Sequence, residues 1–268
     1  MERSAKPMGK LVCALRSFTT LLVYGVFSGG AVLNGTVVYL LLIILIRDPR
    51  KRQLALRKAV KTGLKFFLFM SGILGVFRYD DSAIRDLKDL RGAVIIANHP
   101  SLVDFIIIIC CLDEHAITMV KNSLTQGFMK YVIKHLGYVN NQSSLEEIHE
   151  ATASGDNLLI FPEGTRTRNP EALSFQRGAA NLAIRFKMPL QPVYIYCDAP
   201  GYLSRGFMSL KVPEHVPRFY IRKGELMQPE DFLELDKLPS VNARHLTKKL
   251  ENMYDEWLLN CRNGQNQQ

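Results

Sequence analysis

Two short stretches of this chain hold residue types that do chemistry at useful spacing. In ANHPSLVDF, residues 97–105, His99 and Asp104 stand in one of the most apolar regions of the sequence. An imidazole changes charge near neutral pH, and a carboxylate one helical turn onward can fix its tautomer, which is what a general base needs. His99 is therefore a candidate base and Asp104 its orienting partner, although an ordinary Asn-His-Pro-Ser turn with a solvated aspartate has the same composition. In FPEGTRTR, residues 161–168, Pro162 and Gly164 bend the chain directly after the apolar run NLLIF. Such a bend aims Glu163, Thr165, Arg166 and Arg168 toward the space at the strand's end. A guanidinium there matches a phosphate through forked hydrogen bonds, and backbone N–H groups beside a glycine add to an anion site. A surface turn with satisfied charges is the plainer alternative.

The elements around these stretches alternate. GAVIIANHP reads as a buried strand ended by Asn and Pro, and LVDFIIIICCL as a helix that begins after Pro100-Ser101 or as a further buried run. HAITMVKNSL is a second strand. TQGFMKYVIKHLGYV places Phe128, Val132 and Leu136 at helical spacing, with Gly137 positioned to end the helix. Ser143 or Ser144 ahead of Glu146 and Glu147 predicts a capped helix, followed by the strand NLLIF. GAANLAIRFKMPLQPVYIYC repeats the order of helix, turn at Pro189 and strand. MSLKVPEHVPRFYIRKGELM contributes one or two edge strands, a charged helix runs from about Asn242 to Leu259, and the polar end CRNGQNQQ is expected to be disordered. The pattern predicts an α/β fold, a mixed central sheet covered by helices, and ligands in such sheets gather where strands end.

Composition adds a membrane. The chain has 268 residues and a net charge of +9, yet Ser17 to Ile46 contains no charged residue. That run is long enough for the ~20 residues a bilayer crossing takes, but Gly25, Gly29, Gly30, Asn34 and Gly35 allow it to break into two helices that dip into one leaflet. A cleaved signal peptide is disfavoured by the length of the run and the basic cluster behind it. That cluster, Arg47, Arg50, Lys51, Arg52, Arg57, Lys58, Lys61 and Lys65 against Asp48, suits an anionic cytoplasmic leaflet and places the downstream chain on the cytoplasmic side. Residues 62–77 form a further apolar helix candidate, too short to span and suited to the interface. The division expected is 1–75 as an N-terminal membrane-anchoring helical region and 76–268 as the domain that does the chemistry. Much of the positive excess lies beside the apolar run without interleaved aromatics, which argues against nucleic acid as a partner. Five cysteines without Cys-x-x-Cys spacing are expected to be reduced and structural, and no metal site is visible.

NHPSLVD and FPEGTR, in that order, resemble the two hallmark blocks of the glycerolipid acyltransferase superfamily, N-H-x4-D and F-P-E-G-T-R. Its best-known members are 1-acylglycerol-3-phosphate acyltransferases. SFQRGAANLAIRFKMPLQPVYI is similar to a further family segment, and Lys121 falls where many members carry a lysine after the second strand. The likeness covers about residues 85–197. It implies the superfamily's αβ fold, with His99 taking the proton of an acceptor hydroxyl, Asp104 holding the far ring nitrogen, and Glu163, Gly164, Thr165 and Arg166 holding the acceptor. Arg166 would meet its phosphate, and Lys121 would assist. No cofactor is implied, only acyl-CoA or acyl-carrier protein as donor substrate.

One departure stands out. Where many phosphate-accepting members carry Gly-x-x-Phe-Ile-x-Arg, this chain reads LGYVNNQSS, with Gly137 present and Asn140 and Asn141 in the arginine's neighbourhood. The resemblance therefore implies a membrane-bound acyltransferase acting on a lysophospholipid, 1-acylglycerol-3-phosphate first. Acyl transfer to an amino-lipid, polyketide or glycolipid is the alternative, and a non-catalytic lipid-binding membrane protein the third reading. The expected location is a membrane, taken as a bacterial inner membrane, and the oligomeric state is left open.

Overall fold

The computed structural model describes residues 10–122, 129–167, 173–199, 201–203, 213 and 215–264. The N-terminal part is helical. α1 runs Lys10–Leu33, a single π-helical turn occupies Asn34–Val38, α2 runs Tyr39–Leu45, and α3 runs Pro49–Ile73. Asn34 and Gly35 are poor helix formers, and the ladder slips at them. Among the described residues no helix is long and apolar enough to cross a membrane, so a single crossing by residues 17–46 is not supported. α3 starts where its sequence says it should: Asp48 accepts the N–H of Lys51 at 2.9 Å, and Pro49 takes the first helical position. Residues 62–73 are its second half, so the apolar stretch expected there is no separate helix.

From residue 78 the alternation becomes a seven-stranded sheet. In chain order it uses β1 (Arg78–Asp80), β2 (Val94–Ala97), β3 (Ala116–Val120), β4 (Val139–Asn140), β5 (Asn157–Ile160), β6 (Leu190–Cys197) and β7 (Arg218–Lys223), arranged as β1-β7-β6-β2-β5-β3-β4. β6, β2, β5, β3 and β4 run parallel. β7 is antiparallel to β6, and β1 is parallel to β7, so the sheet is mixed as expected. The helices between strands are α4 (Asp104–Cys111), α5 (Met129–Leu136), α6 (Leu145–Thr152) and α7 (Gly178–Arg185), and α8 (Pro239–Arg262) closes the chain.

Period-two alternation sorts each strand between two cores. Ile95, Leu159 and Val193 face Leu64 and Phe67 of α3 and Ile107 of α4. Val94, Ile96 and Leu158 face Leu182 of α7 and Leu246 and Tyr254 of α8. The Tyr254 hydroxyl donates to Ile96 O at 2.7 Å and accepts Val193 N–H at 3.2 Å, which ties α8 to the centre of the sheet. Ser144 and Glu147 form the capping box of α6. Gly137 ends α5 in the left-handed region, φ +70°, where a Cβ would also run into Gln53 and Arg57.

The basic cluster is only partly what its composition suggests. Arg57 is buried and donates to Asp156 Oδ2 at 2.7 Å, Leu136 O at 2.7 Å and Glu114 O at 3.1 Å. Arg50 spans both oxygens of Asp156 at 2.6 and 3.0 Å, and Lys61 donates to Leu112 O at 3.1 Å. These three cations dock α3 onto the domain rather than facing lipid. The charged helix expected over 242–259 is longer, taking in Cys261 and Arg262 of the tail, while residues 265–268 lie outside the described residues, as does Arg168.

Candidate active site

The parallel strands deliver their C-terminal ends to one edge of the sheet, and the two stretches singled out in the sequence meet there. Asn98 ends β2. Its carboxamide donates to Ile195 O and accepts Ile195 N–H, both at 2.8 Å, which extends the β2–β6 ladder by one side chain and lets the backbone leave the sheet. His99 follows, and α4 begins at Asp104.

Asp104 is wholly buried. Its Oδ2 accepts Ser101 N–H at 2.6 Å and lies 3.1 Å from His99 Nδ1. A carboxylate at that distance calls for the proton on Nδ1, which leaves the lone pair of His99 on Nε2. Burial pushes the Asp104 carboxyl above its ordinary range, and the bond from His99 opposes that. The Phe161 ring lies against the imidazole, centroids 4.3 Å apart, and limits its rotation.

The second stretch is sewn to the first. Glu163 Oε1 accepts His99 N–H at 2.8 Å and the Thr167 hydroxyl at 3.0 Å, and Thr167 N–H donates to His99 O at 2.8 Å. Burial raises Glu163 above the usual glutamate range against these bonds. Glu163 is thus engaged with the histidine's own backbone. Gly164 adopts φ +66°, and a Cβ there would meet the Gln176 carboxamide, so the turn takes only glycine without strain. Arg166 Nη1 donates to Leu203 O at 3.1 Å, and Leu102 N–H reaches the same oxygen at 3.2 Å.

His99, Lys121, Gly164, Thr165 and Arg166 line one cavity of about 1300 Å³, whose other walls are mostly apolar and come from α1, α3, α5 and the strand ends. Lys121 stands one residue beyond β3, and the Asn140-Asn141 pair beside it is occupied locally. Asn141 accepts Asn122 N–H at 2.9 Å, and Asn140 accepts Gln142 N–H at 2.6 Å. The site therefore sets an imidazole backed by a buried carboxylate, together with two cations, on the wall of one largely apolar cavity. Among the described residues no cluster of His, Cys, Asp or Glu is arranged to hold a metal.

A family model described as acyltransferase matches residues 79–196, from β1 to the end of β6, with every lining residue just named inside it. Human 1-acyl-sn-glycerol-3-phosphate acyltransferase beta is 25% identical over 191 residues, 62% of this chain and 69% of the relative. The crystal structure of the 1-acyl-sn-glycerophosphate (LPA) acyltransferase PlsC from Thermotoga maritima superposes with a TM-score of 0.61 at 22% identity, covering 94% of this chain and 95% of that one. The family model and these relatives identify residues 79–196 as an acyltransferase domain. Ovine 1-acyl-sn-glycerol-3-phosphate acyltransferase alpha, 23% identical over 216 residues, spans 74% of this acyltransferase and 71% of its own length.

Several residues of this candidate site escape a reading of the sequence. Thr167 carries no motif letter, and only its place in the turn could have suggested that it bonds backward to His99. Phe161 reads as a strand residue, yet an aromatic directly before the Pro162 turn sits at the one strand end shared with the imidazole. Leu203 acts through its carbonyl, for which a sequence has no signal.

Proposed function

We propose that this protein moves a fatty acyl group from a thioester, acyl-CoA or acyl-carrier protein, to the hydroxyl of a membrane-resident lysophospholipid. 1-Acylglycerol-3-phosphate is the acceptor proposed first, with phosphatidic acid as product. The observation that carries this reading is the His99 Nδ1–Asp104 Oδ2 contact of 3.1 Å at the end of a cavity that also presents Arg166 and Lys121.

The chemistry runs on the chain's own groups. Nε2 of His99 takes the proton of the acceptor hydroxyl as its oxygen attacks the thioester carbonyl carbon. Asp104 stabilises the imidazolium that forms. When the tetrahedral intermediate collapses, the carbon–sulfur bond breaks and the thiolate takes the proton back from His99. No acyl-enzyme is needed, because the acceptor itself is the nucleophile. Arg166 and Lys121 supply positive charge for an acceptor phosphate.

Attachment to one face of a membrane belongs to the same proposal. Large apolar side chains of all three N-terminal helices are exposed: Phe18 at 62%, Ile44 at 77%, Leu45 at 75%, Phe69 at 60% and Ile73 at 64%. Exposed apolar surface of that kind marks a lipid or partner surface. Arg47, Lys51, Lys58 and Lys65 remain as its basic fringe. Replacing Ile44 and Leu45 by Asp is expected to release the protein from phosphatidylglycerol-containing vesicles in a flotation assay, and undiminished flotation would show that the attachment lies elsewhere.

Asn140 and Asn141, in place of the arginine carried by many phosphate-accepting members, favour one alternative, the same transfer to an acceptor without phosphate, an amino-lipid, polyketide or glycolipid. Purified protein given an acyl donor and a panel of lysophospholipids, amino-lipids and glycolipids, with products read by mass spectrometry, decides between them. Product from 1-acylglycerol-3-phosphate supports the first reading, and product only from acceptors without phosphate supports the second.

A further inference from the structure

The imidazole of His99 touches two groups of opposite kind. Asp104 meets its edge, with Oδ2 3.1 Å from Nδ1, and Phe161 covers its face, with centroids 4.3 Å apart and the ring planes 30° from parallel. Limiting the rotation of the imidazole takes only bulk, which an aliphatic side chain supplies. An aromatic face adds a property that bulk lacks. Its π cloud carries negative potential, and it attracts a cation within about 6 Å of the centroid far more than it attracts a neutral ring.

His99 passes between those two states in the proposed transfer. It is neutral before the acceptor hydroxyl gives up its proton, and an imidazolium in the tetrahedral intermediate. An attraction that appears only with the charge lowers the barrier without tightening the binding of either substrate. Water screens this pair little: the His99 side chain is 18% exposed, Asp104 beside it is wholly buried, and Phe161 is half-buried on the wall of the largely apolar cavity. The chain fixes where the phenyl ring stands. Phe161 follows β5 and Pro162 turns the backbone directly after it, so the ring lies at the end of the strand paired with β2, which carries His99.

We infer that Phe161 is a positioning residue with an electrostatic task, acting through His99 by laying its π face against the ring and stabilising the imidazolium as it forms. The inference rests on the reading of His99 as the base and deepens it.

The experiment replaces Phe161 in the full-length chain by phenylalanines carrying one, two and three ring fluorines, which keep the ring's shape and weaken the negative potential of its face step by step. Transfer from palmitoyl-CoA to lysophosphatidate, or to whichever lysophospholipid, amino-lipid or glycolipid wild type acylates, is read as kcat and KM. The expected result is a kcat that falls in the order of fluorination, by roughly threefold to thirtyfold at three fluorines, the range of a partly desolvated cation–π contact. KM for both substrates and the melting temperature are expected to stay at the wild-type values. The same series at Phe77, whose ring packs on Phe67 and Phe219 outside the cavity, is expected to leave kcat unchanged. A flat kcat across the series at Phe161, an equal fall at Phe77, or a loss carried by KM overturns the inference alone. Absence of transfer by wild type to every acceptor, or wild-type turnover in His99→Ala, overturns the reading of His99 as the base and this inference with it.

Discussion

Glu163 holds His99 by its backbone. The 2.8 Å bond from His99 N–H to Glu163 Oε1 fixes the main chain of the base, while Asp104 fixes its ring from the other side at 3.1 Å. The two carboxylates therefore do different work on one residue. Asp104 faces the ring nitrogen, where the proposed transfer would have it set the tautomer and support the charge that develops. Glu163, reached from the neighbouring strand end, holds the turn that carries His99 to the cavity wall.

Asp104→Asn preserves shape and removes the acceptor that selects the Nδ1–H tautomer. The expected loss in kcat is about 10⁴, the size seen when the corresponding carboxylate of a serine protease triad is changed to an amide. Steady-state kinetics check it, with the circular dichroism spectrum expected to be that of the wild type. A loss of less than tenfold would mean that Asp104 does not control the ring.

Glu163→Gln keeps an oxygen for His99 N–H and Thr167, whereas Glu163→Ala leaves that N–H without its partner. The alanine variant is expected to cost about 1–3 kcal/mol of stability and the glutamine variant less. The pH dependence has a definite sign. Burial raises Glu163 in the folded state, so the folded chain binds the proton more tightly than the unfolded one. Stability is then lost as pH rises from the ordinary glutamate range through the raised value. Glu163→Gln removes that slope, and melting temperatures taken across this range would show it.

Arg166 and Lys121 are expected to act on the acceptor more than on the chemistry. Arg166→Ala and Lys121→Ala should each raise KM for lysophosphatidate, by roughly tenfold to a hundredfold if one charge-assisted bond of about 1.5–3 kcal/mol is lost. Arg166→Lys should recover only part, because an ammonium lacks the planar fork. An unchanged KM in both alanine variants would place the phosphate elsewhere.

Asp156 tests the docking of α3. It is fully buried between Arg50 and Arg57 and lies 3.2 Å from His115 Nδ1. Burial alone would raise its carboxyl, but hydrogen bonds from Arg50 and Arg57, then their charges, bring it below the ordinary value. Its contribution is therefore present above the unfolded-state value, near pH ~4, and lost as pH falls through the lowered one. Asp156→Asn strands a buried arginine and is expected to cost about 3–5 kcal/mol at neutral pH, with a smaller deficit in acid. Urea unfolding at two pH values measures both.

What the sequence made legible was local or periodic. The strand ending at Asn98, the capping box of Ser144 and Glu147, the stop at Gly137 and the two turns that carry His99 and Arg166 all depend on neighbours a few positions apart. What it concealed was long-range. Arg57 looks like one more basic residue at a membrane edge, and only the fold brings Asp156 to it from 99 positions away. Glu163 has the residue type of an acceptor ligand, but its carboxylate meets a backbone N–H that belongs to another strand end. The apolar run of residues 17–46 breaks where its sequence allowed a break, at the π-helical turn Asn34–Val38 between α1 and α2. Composition records how much apolar surface there is, and the break decides how it is presented.

The role of His99 as the base of an acyl transfer is the central claim. Purified wild type and His99→Ala, given acyl-CoA and 1-acylglycerol-3-phosphate in mixed micelles, test it through the release of free CoA and the appearance of phosphatidic acid. Transfer by wild type is expected, with a fall of at least about 10² in His99→Ala at an unchanged melting temperature. Wild-type turnover in the alanine variant would contradict it.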